Sequence, residues 1–142
     1  MPFKYLEDVA IADIAYEATS DSLNGMFEEA AKAATDIMVN SKTVKPKTKK
    51  IIKMKANSLE NLLYDFLPEL IFIKDTKGFL ANKVKASIKK SGDNFYLTSI
   101  LHGEKIDRKR HDLRNDLKAI TMHMFEIKQI GKKWKATIVV DI

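Results

Sequence analysis

Carboxylates near the two ends of the chain are the residues best suited to chemistry. Asp13 lies early, and Asp141 stands beside Ile142, whose main-chain carboxylate adds a third charge where the chain naturally ends there. Carboxylate oxygens are hard ligands that suit calcium or magnesium. Three such groups in one place repel each other unless a cation or a basic partner neutralises them. Their convergence requires the first and last strands to be neighbours. His102, His111 and His123 are scattered, so no histidine metal triad follows from their spacing. His123 reads as a half-buried strand residue, and His111 as a loop residue able to meet a phosphate or carboxylate. Cysteine is absent, which excludes disulfides, thiolate chemistry and cysteine-bound zinc. There is no phosphate-cradling glycine loop, no nucleophile elbow and no histidine pair at helical metal spacing. Self-contained catalysis is therefore not expected.

The elements that must position these groups follow from periodicity. From Ile11 to Ala18 apolar and polar residues alternate, which predicts a half-buried strand with Asp13 facing away from Ile14 and Tyr16. Leu23, Met26, Phe27, Ala30, Ala34, Ile37 and Met38 mark one face of an amphipathic helix, capped by Ser20 or Ser22. Residues 42–50 are a lysine-rich connector broken by Pro46, followed by a short strand over 51–56. Ser58 to Lys74 is the most apolar stretch and predicts a central helix, bent or split at Pro68, with Phe72 and Ile73 widening its buried surface. Asp75 to Gly78 reads as a turn. Val84–Lys89 and Phe95–His102 predict an antiparallel pair around Ser91–Asn94. A polar loop with Arg108, Lys109, Arg110, His111 and Arg114 follows. Two long strands, Asp116–Lys128 and Trp134–Asp141, close the chain around Gly131. Trp134 and Phe125 read as packing residues.

This order predicts an α+β fold: a two-layer sandwich with two helices on one face of a mostly antiparallel or mixed β-sheet. Residues 1–142 suit one domain. There is no secretory signal pattern and no long uncharged apolar span, so a cytoplasmic location with no membrane association is expected. The net charge of +6 is compatible with a nucleic acid or an acidic partner.

The chain resembles the archease family, the small proteins that assist the RtcB-type tRNA-splicing RNA ligase. The resemblance lies in Ala12-Asp13-Ile14, the helix SLNGMFEEAAKAATDIM with VKP at 44–46, LENLLYDFLPEL, the loop DRKRH at 107–111, KAITMH at 118–123 and the terminal VDI. It spans almost the whole chain in order. It implies a compact α+β fold and a role as cofactor of the ligase rather than as catalyst; a monomer is expected. Such a cofactor promotes guanylylation of the ligase by GTP with divalent metal, and so multiple turnover in joining tRNA halves. GTP is used by the ligase and is not expected to bind this chain alone; tRNA halves are met indirectly. The family's metal-associated acidic site maps onto Asp13, Asp141 and Ile142, the last through its main-chain carboxylate, with calcium expected and magnesium or manganese as alternatives. One departure stands out. Many archeases carry His-Thr-Ala-Asp where this chain has Ala10-Ile11-Ala12-Asp13. Asp8 is the nearby charge that could compensate. A basic RNA-binding module acting through 42–50 and 108–114, and a chaperone-like adaptor, remain open alternatives.

Overall fold

The computed structural model describes residues 2–6 and 13–142. In chain order these form β1 (Phe3–Leu6), β2 (Asp13–Ser20), α1 (Leu23–Met38), a 3-10 turn (Ser41–Thr43), β3 (Thr48–Ala56), α2 (Leu59–Lys77), β4 (Phe79–Ser91), β5 (Asn94–Lys105), β6 (Ala119–Ile130) and β7 (Lys133–Asp141). The α+β class with two helices against antiparallel sheet is the one the sequence implies. The sheet, however, is divided in two: β1-β2-β7-β6 and β3-β5-β4, every pairing antiparallel. The short β1 was not foreseen. It pairs with β2 from Phe3 opposite Ala18 to Leu6 opposite Ala15.

Helix α1 explains the division. Its Asn24 side chain accepts the Ile88 N–H at 3.0 Å, and its Glu28 carboxylate accepts the Ala86 N–H at 2.9 Å. These N–H groups belong to β4, an outer strand of the three-stranded sheet. An unpaired strand edge invites a further strand. Here helical side chains occupy it instead, and α1 lies between the two sheets. Ser22 caps the helix by accepting the Gly25 N–H at 3.0 Å. Ala30, Ala31, Ala33 and Ala34 are fully buried, and their small size lets Tyr16 reach the Ala30 carbonyl with its hydroxyl at 3.0 Å.

Helix α2 supplies a large part of the core. Leu62, Leu63, Phe66, Leu67, Leu70 and Ile71 are buried, each removing apolar surface worth about 1.5–3 kcal/mol. The Phe66 ring stacks on Phe27 of α1 at 6.3 Å. The helix is continuous through Pro68 and runs three residues beyond the expected end at Lys74. Asp75, Thr76 and Lys77 complete its last turn rather than forming a separate one. Only Gly78 leaves the helix: at φ 61° it takes left-handed backbone and donates its N–H to the Ile73 and Lys74 carbonyls. Phe72 departs from the expectation, being 57% exposed, while Ile73 is buried.

The two hairpins turn at Gly92 and Gly131, both with positive φ, as the glycine signals imply. β3 begins at Thr48, so Lys49 and Lys50 belong to a strand and not to the connector. β6 breaks its alternation. Its register against β7 slips between Thr121 and Glu126, with Met124 at φ 55°. Met122, His123 and Met124 are all exposed, so His123 is not the half-buried residue expected. Phe125 is half-buried, edge-on to Tyr64 at 5.4 Å, and Trp134 packs against the core. Among the described residues no helix is long and apolar enough to cross a membrane.

Candidate functional site

Strands β2 and β7 are neighbours, and their register sets Asp13 directly opposite Asp141. Directly opposed residues of an antiparallel pair project to the same side, with Cβ atoms about 4.5–5.5 Å apart. Asp13 alternates with Ile14, so it shares the face of Ala15 and Glu17, while Ile14, Tyr16 and Ala18 join the core. Both aspartates are half-buried. Neither side chain enters an ion pair among the described residues. Glu17, on the same face of β2, shows the contrast: Lys4 holds it at 3.3 Å and Lys135 at 3.4 Å. Burial pushes the Glu17 carboxyl up, yet the two ammonium groups outweigh it and bring it below its ordinary value. Like charges directly opposed on a sheet are destabilising, and the Asp13–Asp141 pair has no such relief from the described lysines and arginines.

The end of β7 is fastened from two sides. The Lys118 N–H donates to the Asp141 carbonyl at 2.8 Å. The Ile142 side chain packs on the main core cluster, which holds its main chain beside Asp141. All three residues singled out from sequence are therefore at one sheet end. Ala10, Ile11 and Asp8 lie outside the described residues, so the departure before Asp13 has no structural description.

A hollow of about 350 Å³ adjoins Asp13, lined also by Tyr5, Asp36, Arg114 and Asn115. The Tyr5 hydroxyl donates to Asp36 at 2.9 Å. Arg114 pairs with the Asp36 carboxylate at 3.1 Å and donates to its main-chain carbonyl at 3.1 Å. A cation at the C-terminal turn of α1 also meets the negative end of the helix dipole. Burial, and then the bond to Asp36, push the Tyr5 hydroxyl well above its ordinary range, so it stays a donor. Tyr5 and Asp36 were missed from sequence: they are 31 residues apart and belong to no spacing pattern.

The donor chemistry fits a hard divalent cation held at an open site. Among the described residues no group of three or more His, Cys, Asp or Glu side chains converges. The opposed carboxylates of Asp13 and Asp141 are an all-oxygen donor pair. Calcium takes about six to eight oxygens, so such a pair leaves positions for water or for groups of another molecule.

A second carboxylate centre sits at the end of β5. Glu104 is only 4% exposed. It accepts the Lys45 N–H at 2.6 Å, two guanidinium bonds from Arg110 at 2.8 and 2.5 Å, and a bond from His111 Nε2 at 2.9 Å. His111 Nδ1 accepts the Asp107 N–H at 2.9 Å, so its proton is on Nε2. The Arg110 and His111 bonds hold the Glu104 carboxyl far below the usual carboxylate range. This cluster ties the 104–111 loop to residues 43–47. His111 thus meets a carboxylate, one of the two partners expected for it, and is buried.

Known proteins agree with this description. The model of the Archease protein family matches residues 3–142. The protein archease of Pyrococcus abyssi is 35% identical over 132 residues, covering 92% of this chain and 93% of its own. That of Pyrobaculum islandicum is 32% identical over 143 residues, covering 99% and 97%. The solution structure of Methanobacterium thermoautotrophicum protein 1598 superposes with a TM-score of 0.87 at 32% identity, over 99% of both chains. The crystal structure of a Thermotoga maritima archease, described as a possible chaperone, gives 0.58 at 22% identity over 94% and 93%, a likeness of fold.

Proposed function

Because this chain belongs to the archease family, we propose that it is an accessory factor of an RtcB-type tRNA-splicing RNA ligase, promoting that enzyme's metal- and GTP-dependent guanylylation and its multiple turnover. The observation that carries this is the register of β2 against β7, with Asp13 opposite Asp141 and Ile142 beside it. A divalent ion, when bound, supplies positive charge for phosphate oxygens. Asp13, Asp141 and the Ile142 carboxylate would hold it. Lys118, by its bond to the Asp141 carbonyl, and the half-buried Ile142 side chain packed on the core keep those groups at one sheet end. An incomplete oxygen set of this kind is suited to presenting charge to another protein's site, where placement alone can raise a rate. Membership of the family is consistent with an accessory rather than a catalytic role.

The test is a ligation time course with purified ligase below the substrate concentration. Addition of this protein should carry the reaction past one turnover. Asp13→Ala and Asp141→Ala should fold and fail to do so. Stimulation that survives in both variants would reject the site.

A further inference from the structure

A further hollow among the described residues lies away from the aspartates. It has a volume of about 850 Å³ and is walled by the start of β3, the end of α2, the start of β4 and the loop after β5. Lys47, Lys50, Lys77, Lys105, Arg108 and Lys109 line it, together with Arg110. Two carboxylates share the lining, Glu104 and Asp107. Glu104 is already taken by Arg110 and His111. Asp107 accepts the Lys109 N–H at 3.0 Å and lies 3.9 Å from the Arg110 guanidinium. Among the described residues Lys50, Lys77, Lys105, Arg108 and Lys109 have no ion-pair partner. Five cations around one concavity, with its carboxylates engaged elsewhere, repel one another until an anion with several charges is present.

The lining also says what kind of anion. Phe79, beneath the Lys50 ammonium at 5.3 Å, is only 4% exposed. No exposed aromatic ring lines the hollow, so there is no platform on which bases could stack. Protein–protein interfaces are depleted of charge at their centre and anchored by aromatic residues; this hollow is the reverse. Continuity gives a direction. Ile106 and Arg108 also line a second hollow of about 390 Å³, and Arg114 and Asn115 line both that hollow and the one beside Asp13. The three adjoin along the segment that follows β5.

We propose that this basic hollow binds the phosphodiester backbone of a single-stranded polynucleotide without regard to base sequence, and that the adjoining hollows lead the strand toward the Asp13–Asp141 end. Backbone binding here does not require that the chain activate a ligase.

Fluorescence anisotropy with labelled 12-nucleotide RNA and DNA single strands, each as oligo-U or oligo-T and as a mixed sequence, tests it between 50 and 200 mM salt. Both sequences should bind alike, and log K should fall linearly with log salt. Lys77→Ala/Lys105→Ala/Lys109→Ala removes three exposed cations of the lining. It should make the slope shallower by about 2, at roughly 0.7 per phosphate contact on single strands. Lys53→Ala/Lys55→Ala/Lys89→Ala removes the same charge from exposed strand positions outside the hollow and should leave the slope nearly unchanged. Equal RNA and DNA binding supports backbone recognition as stated; RNA binding alone supports it with added contacts to the 2′-hydroxyl. Absence of binding at 50 mM salt overturns the proposal, as does an equal loss in both triple variants. A polyglutamate competitor that displaces RNA at equal charge concentration would also overturn it, in favour of an acidic protein. Thermal melts of both variants confirm that the fold is retained.

Discussion

Glu104 and Asp13 are both carboxylates at strand ends, and the fold treats them oppositely. Glu104 is nearly sealed from solvent and accepts four bonds, from Lys45, Arg110 and His111. A buried charge is tolerated only when paired and hydrogen-bonded, and this one is. Asp13 is half-buried and faces a second aspartate across the ladder, with no ion pair among the described residues. The first arrangement lowers the energy of the folded chain and asks nothing of any other molecule. The second raises it. An uncompensated local cost is what a functional site is expected to show, in keeping with the proposed role of this pair. On the proposed function, the two centres separate a carboxylate that builds the protein from a pair that the protein offers.

The sharpest break of this contrast is removal of each. Asp13→Ala or Asp141→Ala should abolish the stimulation of multiple-turnover ligation while leaving thermal stability unchanged or raising it by a few tenths of a kcal/mol, as the like-charge contact is lost. In the parent protein millimolar calcium should raise the melting temperature, because a ligand of the folded state stabilises it; in either variant that rise should shrink or vanish. A variant that melts early and still stimulates would place Asp13 among the structural carboxylates.

Glu104→Ala should do the opposite. It strands Arg110, His111 and the Lys45 N–H without their acceptor, so the melting temperature should fall by several degrees. Amide exchange should speed up at Asp107 and His111. Below the new melting point, stimulation should persist. Gly103→Ala reaches the same loop through packing alone. Its Cβ would lie 1.9 Å from the Leu80 carbonyl oxygen, so β4 and β5 must part, at about 1–3 kcal/mol.

Asp13 and Asp141 were legible as strand residues because alternation carries facing information, but nothing in that alternation says that their strands are neighbours; the family resemblance singled them out, and the register of β2 on β7 sets them opposite each other. The central helix was legible from Leu62, Leu63, Phe66, Leu67 and Leu70 at helical spacing. The division into two sheets was not. It depends on Asn24 and Glu28 meeting β4 amides 64 and 58 residues away, and no local pattern encodes that meeting. Glu104 escaped notice because His-Gly-Glu-Lys reads as a polar loop. Its nearness in sequence to Arg110 and His111 was the available signal. The slip in β6 was hidden for a related reason: alternation continues in the letters from Ala119 to Phe125, while the backbone turns aside at Met124.

Acid sharpens the contrast by titrating Glu104. Its folded-state pKa is depressed by Arg110 and His111, so its stabilising effect is fully present above the unfolded carboxylate value of about 4.3. That effect is lost as pH falls from there through the depressed folded value. The difference in melting temperature between the parent and Glu104→Gln should therefore be constant from pH 7 to about 5 and close steadily below about 4. A difference that stayed constant down to pH 2 would mean that the cluster does not depend on the ionised carboxylate.

The smallest effect concerns the border between the two kinds of site. Tyr5 donates to Asp36, and Asp36 is also held by Arg114, in the hollow that Asp13 lines. Tyr5 is 46% exposed, so water can replace much of what its hydroxyl provides. Tyr5→Phe should cost about 0.5–1 kcal/mol, below the usual range for a bond to a charged group because the hydroxyl is half exposed, and leave stimulation of ligation intact. If stimulation instead falls tenfold with stability barely changed, Asp36 and Arg114 act with Asp13 rather than merely bracing α1. The offered surface would then extend from the sheet end into the hollow beside it, on the path that leads from the basic concavity.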